Sequence, residues 1–144
     1  MYRKMKNKSK FAFHISHHVR WGEMDALGHV NNTTYFSYYE NVRIEYFKSL
    51  GFDSINLEDS LGPVLASISC NFLKPVVYPD TIIIGAGIRK VGNTSIQLDY
   101  DIFSEQQQDI VSTGSSVVVM VNYQTGKKVR VSDEIRKKIR EIEG

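Results

Sequence analysis

Residues 21–50 read WGEMDALGHVNNTTYFSYYENVRIEYFKSL. Apolar residues recur at Tyr35, Tyr39, Val42, Tyr46 and Leu50, at spacings of four, three, four and four. Phe36 and Phe47 widen the same stripe. A period near 3.6 predicts an amphipathic helix buried along one side. Gly51 follows as a C′ glycine. The stripe is rich in aromatics, and packing against a sheet explains it better than a ligand box does. Just ahead lie the breakers Gly22 and Gly28, then Asn31, Asn32 and Thr33, the residue types that cap helix N-termini.

Outside this stretch the period is that of strands. Phe11, Phe13 and Ile15 alternate with other residues and lead towards Val19 and Trp21. Residues 52–62 are loop-like, and strands are predicted over 64–73, 81–90, 94–103 and 110–123. The strands from 80 to 123 are joined by short turns, which predicts an antiparallel meander. Ser132 is expected to cap a short charged helix over 133–142, with Asp133 and Glu134 at its positive end. The order is therefore strand, long helix, four strands, short helix, an α+β arrangement. One long helix covers one face of such a sheet. A second subunit is expected to cover the other face and the exposed edge.

The 144 residues suit one domain, and 42% apolar with 24% charged residues is ordinary for a globular chain. Arg3, Lys4, Lys6, Lys8 and Lys10 form a run without an acid, read as a flexible basic tail over 1–10 ahead of a single domain over 11–144. The run can attract phosphates loosely, but no aromatic-basic platform accompanies it, so nucleic acid is not an expected partner. The one cysteine, Cys70, permits no intrachain disulfide. No signal peptide and no membrane insertion are expected, since the first ten residues are polar and the longest apolar run, 117–121, is short. These features together predict a cytoplasmic location.

The segment 25–32, DALGHVNN, holds the parts of a reactive site. A helix N-terminus leaves backbone N–H groups unpaired and carries partial positive charge. Those groups can stabilise negative charge developing on a carbonyl oxygen. A carboxylate just ahead of them, Asp25, can attack that carbonyl or activate water. The same residues are also preferred types for holding a loop and capping a helix. Residue chemistry alone leaves both readings open.

The stretch VRWGEMDALGHVNNTTYFSYYENVRIEYF resembles the signature of hotdog-fold acyl-CoA thioesterases of the 4-hydroxybenzoyl-CoA and YbgC/FadM-like type. The resemblance is carried by Arg20, Trp21, the Asp25-x-x-Gly28-His29-Val30-Asn31-Asn32 block, Tyr35 and Glu40, and continues in FLKPVVYPDTIIIGAGI at 72–88. It implies an antiparallel sheet wrapped around a long central helix, and hydrolysis of an acyl-CoA to a carboxylic acid and CoA. Asp25 would be the nucleophile or general base, and the backbone N–H near Asn32 would polarise the carbonyl. His29 is a second catalytic candidate. Asn31 and Tyr35 would shape the substrate site. In the family the site lies between subunits, so the assembly would be a homodimer or homotetramer, with strand residues such as Asn71 lining the acyl channel. Arg89 and Lys90 are candidates for the phosphates of CoA, although Gly92, Asn93 and Thr94 stand where the family often has a basic cluster. Lys74 is a similar candidate. An acyl-carrier-protein thioester is an alternative substrate. No cofactor is implied, since CoA belongs to the substrate.

Other features carry less. His14, His17 and His18 lie on an alternating strand with no completing ligand, which predicts a surface role and no metal site. Gly85 and Gly87 are expected to admit close approach of another segment. Two further functions remain: a hotdog 3-hydroxyacyl-thioester dehydratase, and a non-catalytic acyl-thioester-binding regulator.

Overall fold

The computed structural model describes residues 8–52 and 60–144. Its elements are β1 (Phe13–His18), a 3₁₀ turn (Trp21–Glu23), α1 (Asn32–Ser49), β2 (Leu61–Phe72), β3 (Thr81–Val91), β4 (Ser95–Ser104), β5 (Asp109–Asn122) and α2 (Asp133–Glu143). The five strands form one antiparallel sheet in the order β1-β3-β4-β5-β2. β3, β4 and β5 are the expected meander. β2 and β1 are its two edges.

Paired residues share a face of the sheet. One row runs Phe13, Ala86, Tyr100, Gly114 and Cys70 across the strands. This is the inner face, and α1 crosses it obliquely. Tyr35, near the helix N-terminus, meets the Phe72 ring of β2 edge-on at 5.0 Å. Tyr39 stacks on Tyr100 of β4 at 4.6 Å. Tyr46 meets Phe13 of β1 at 4.8 Å. The helix thus runs from the β2 edge to the β1 edge, and its tyrosines are the contacts along the way.

The buried face of α1 is Tyr35, Tyr38, Tyr39, Val42, Arg43, Tyr46 and Phe47. Each fully buried apolar side chain of this size stabilises by about 1.5–3 kcal/mol. Phe36, read from the sequence as part of the stripe, is only half-buried; Tyr38 takes the deep position instead. Arg43 is tolerated in the core because its Nη1 donates to the Tyr100 hydroxyl at 3.2 Å, and that hydroxyl also bonds to Ser116 at 2.5 Å. Gly51 closes the helix with φ +106°, as its position after the stripe predicts. Ser132 caps α2 by accepting the Ile135 N–H at 3.2 Å.

The outer face carries the neighbouring row His14, Gly85, Asp101, Thr113 and Asn71. A Cβ at Gly85 would collide with Ser9, and one at Gly87 would lie 2.5 Å from the Phe11 ring. The two glycines admit the segment leading into β1, which fulfils the close approach expected of them. Lys8 pairs with Glu105 at 3.2 Å, and the Lys10 N–H donates to Asp101 at 3.0 Å. Residues 8–10, expected in the flexible tail, are therefore tied to the sheet; the rest of that tail and 53–59 of the expected loop lie outside the described residues. Trp21 also departs from expectation. It sits in the 3₁₀ turn, highly exposed, because the chain leaves the sheet after His18.

Candidate active site

The segment between β1 and α1 folds back on itself. Met24 and Val30 form an isolated bridge, and the Asp25 N–H donates to the His29 carbonyl at 2.7 Å. Gly28 turns the loop with φ +83°, a conformation side chains with a Cβ resist. Within it, Asp25 Oδ1 accepts the Leu27 N–H at 2.8 Å and lies 3.4 Å from the His29 N. The Val30 N–H then donates to the Val76 carbonyl at 2.8 Å, which seats the loop on the β2–β3 connection.

Helix α1 begins immediately afterwards. Asn31 is its N-cap, accepting the Thr33 N–H and the Thr33 hydroxyl, both at 2.9 Å. The Thr34 N–H returns to the Asn31 carbonyl at 2.9 Å. Among the described residues the Asn32 N–H has no acceptor, so it points its dipole at whatever lies in front of the helix.

What lies there is a cleft of about 270 Å³, lined by Asp25, Leu27, His29, Val30, Asn32, Tyr35, Phe72, Leu73, Lys74 and Pro75. Five residues singled out from the sequence, Asp25, His29, Asn32, Tyr35 and Lys74, thus share one cavity. Asn31 caps the helix beside it without lining it. Burial pushes the Tyr35 phenol above its ordinary value, against a hydrogen bond to the Val76 backbone. The ring is therefore a neutral wall at physiological pH. The arrangement presents a carboxylate, an imidazole and an unpaired amide to one small space, which suits addition of a nucleophile to a polarised carbonyl.

The structure does not bring Asn71, Arg89 or Lys90 to this cleft within the chain. Asn71 is next to Phe72 but faces the other side of the sheet, where its Nδ2 donates to Thr113 at 3.2 Å. Arg89 is exposed and paired with Asp99 at 3.1 Å. Arg89 and Lys90 lie at the far end of β3, on the order of 25 Å along the strand from Thr81. Lys74 is at the rim, bonded to Asp109, whose carboxyl that contact holds below its ordinary value. Among the described residues no three His, Cys, Asp or Glu side chains are grouped to hold a metal ion.

Sequence reasoning missed the apolar wall of Phe72, Leu73 and Pro75. Only the pairing of β2 with β5 and the Val30–Val76 bond bring it under the helix end. It also missed His17, taken as a surface residue. Its Nε2 contacts Glu23 Oε1 at 3.0 Å, and its ring packs on Tyr38 at 5.0 Å. The alternation of β1 marks His17 as half-inward, but nothing local shows that the following turn returns Glu23 to it. No described helix is long and apolar enough to cross a membrane.

The comparisons with known proteins agree with this geometry. The model of the Thioesterase-like superfamily matches residues 19–139. YsmA of Bacillus subtilis is 36% identical over 127 residues, covering 88% of this chain and 84% of that protein. The long-chain acyl-CoA thioesterase FadM of Escherichia coli is 23% identical over 124 residues, covering 86% and 94%. A thioesterase of Thermus thermophilus, solved in complex with coenzyme A and Zn, superimposes with a TM-score of 0.82 at 27% identity, covering 93% of this chain and 96% of that one. The expected hotdog architecture is what the sheet and α1 form. With its loop, helix N-terminus and cleft all inside the matched span, the chain belongs to the thioesterase-like superfamily and is a thioester hydrolase.

Proposed function

We propose that the protein hydrolyses an acyl-CoA thioester at the cleft in front of α1. The observation that carries this reading is the cavity shared by the Asp25 carboxylate and the unpaired Asn32 N–H. The thioester carbonyl oxygen accepts the Asn32 N–H, and the α1 dipole stabilises the charge that forms there. Asp25 acts in one of two ways. It attacks the carbonyl carbon, expelling CoA as thiolate and leaving an anhydride that water then opens. Otherwise it takes a proton from a water that attacks directly, and the tetrahedral intermediate collapses with loss of the CoA thiolate. His29, at the cleft wall, orients water or the leaving group. Tyr35, Phe72, Leu73 and Pro75 contact the acyl group. Water is the only co-reactant, and CoA leaves as product, so no cofactor is needed.

A homodimer, or a homotetramer built from it, completes the site. Leu61, Val64, Leu65 and Phe72 on the edge strand β2 are exposed in the single chain, and an unpaired apolar edge invites a second copy. The cleft opens beside this edge, because α1 starts there. Asn71, which faces away from its own cleft, and Arg89 and Lys90, remote from it, then serve the acyl channel and the CoA phosphates of the neighbouring one. Light scattering of the purified protein tests the assembly; a monomer at micromolar concentration removes this part.

The activity is tested by following thiol release from short, long and aromatic acyl-CoAs with a chromogenic disulfide, alongside Asp25→Asn. Release by the wild type that disappears in the variant supports the reading. Equal release by both removes Asp25 from its role.

A further inference from the structure

We propose that Glu23 is a positioning residue, clamping the reactive loop to both the edge strand and the central helix. The inference rests on the roles given above to Asp25 and the Asn32 N–H. Glu23 lies two residues before Asp25, on the 3₁₀ turn. Its Oε1 accepts the Arg20 N–H at 2.8 Å and the Tyr38 hydroxyl at 3.0 Å. The same carboxylate meets His17 Nε2 through Oε1 at 3.0 Å and Oε2 at 3.2 Å. These partners come from three places: β1, the turn itself and α1. The backbone of Glu23 makes a fourth tie, its carbonyl accepting the Asn31 N–H at 3.0 Å. Asn31 precedes the Asn32 amide by one residue. A single residue therefore fixes the path to the carboxylate on one side and the start of the helix on the other.

Stability alone is a poor reason for this arrangement. The Glu23 side chain is only 20% exposed, and taking a carboxylate out of water costs free energy that a well-packed apolar side chain avoids. The carboxylate supplies direction instead. Its acceptor geometry tolerates little drift of the loop relative to β1 and α1. A reacting group displaced by about 1 Å loses on the order of 10²-fold in rate, so spacing between Asp25 and the Asn32 N–H is where such rigidity matters.

The test uses the full chain with Glu23→Ala, Glu23→Gln and Tyr38→Phe, an acyl-CoA that the wild type cleaves, and amide hydrogen exchange read by NMR. Glu23→Ala is expected to lower kcat by about 10–100-fold while KM stays within about two-fold. Exchange at Leu27, His29 and Asn31 should quicken while the β4 and β5 amides keep their protection. Glu23→Gln keeps an oxygen for the Arg20 and Tyr38 donors and should recover most of kcat. Full kcat in a folded Glu23→Ala, quickened exchange across the whole sheet, or a Gln variant no better than Ala would overturn the proposal. If Glu23→Ala does not fold, Tyr38→Phe removes only a hydroxyl and decides the matter: unchanged kcat and unchanged loop exchange reject the clamp. If the wild type cleaves no acyl-CoA, the Asp25 reading fails, and the exchange data still decide whether Glu23 holds the loop.

Discussion

The Oδ1 atom of Asp25 accepts the backbone N–H of Leu27 at 2.8 Å. The carboxylate is thus held by its own loop before any substrate arrives. An asparagine retains an oxygen for the same bond, whereas an alanine does not. Asp25→Asn is expected to lose about 10²–10⁴-fold in kcat with its melting temperature unchanged. Asp25→Ala should lose activity and also about 1 kcal/mol of stability, the net worth of one such bond. Urea titration of the two variants separates the chemical role from the structural one.

Asn31 accepts two bonds from Thr33 at the start of α1. Asn31→Ala should cost about 1 kcal/mol, and Asn31→Asp much less, since aspartate caps as well. A shift of the urea midpoint without a change in slope is the expected signature.

Gly114 lies on β5 beneath α1. A Cβ there would sit 2.6 Å from the Tyr39 ring and 2.7 Å from the Ser69 carbonyl oxygen. Both neighbours are fixed, the first by stacking on Tyr100 and the second by the β2–β5 ladder. Gly114→Ala should cost about 1–3 kcal/mol through overpacking. Gly22→Ala, with nothing within 4 Å of the added carbon, should change stability by less than about 0.5 kcal/mol. Thermal melts of the pair measure the contrast.

Asp101 and Glu23 tie stability to pH with opposite signs. Burial raises the Asp101 carboxyl above its ordinary 3.8, and Ser9, the Lys10 N–H and the charges of Lys10 and His14 offset this only in part. Among the described residues its Oδ1 has no hydrogen-bond partner. The folded state then holds a proton that the unfolded chain has lost, so stability from this group falls as pH rises from 3.8 through the folded value. Asp101→Asn should raise the melting temperature at pH 7 and remove that fall. Burial also pushes Glu23 upward, but the bonds from Arg20, His17 and Tyr38 outweigh it and bring the carboxyl below its ordinary 4.5. Its contribution is present above pH 4.5 and lost as pH falls through the lower folded value. Melts of the wild type and each variant from pH 3 to 8 check both signs.

Much of this architecture is legible in the chain because it is periodic. Tyr35, Tyr39, Val42 and Tyr46 announce α1, and the valine-rich run before Tyr123 announces β5, since burial of one face imposes the repeat. The loop around Gly28 and the Asn31 cap are equally local, which is why Asp25, His29, Asn32 and Tyr35 can be read together. What the sequence hides is set by long-range pairing. Phe72 reaches Tyr35 only after β2 pairs with β5. Glu23 and His17 are only six residues apart, yet they meet only because the turn between them doubles back, which no periodicity shows. Arg43 breaks the apolar stripe, and its place in the core depends on the Tyr100 hydroxyl, a partner 57 residues away.

The oblique course of α1 separates two demands on one helix. Its N-terminal end, which faces the cleft, lies at the β2 edge, while its other end is anchored by Phe13 of β1 and by Glu143 of α2, whose carboxylate accepts both the Tyr46 hydroxyl and the N–H of Ile88 on β3. Under the function proposed above, residues around Phe72 and Leu73 can change to suit a different acyl group without loosening the anchor. Such a division leaves the scaffold robust while its chemistry drifts, and it lets many substrates be reached from one backbone.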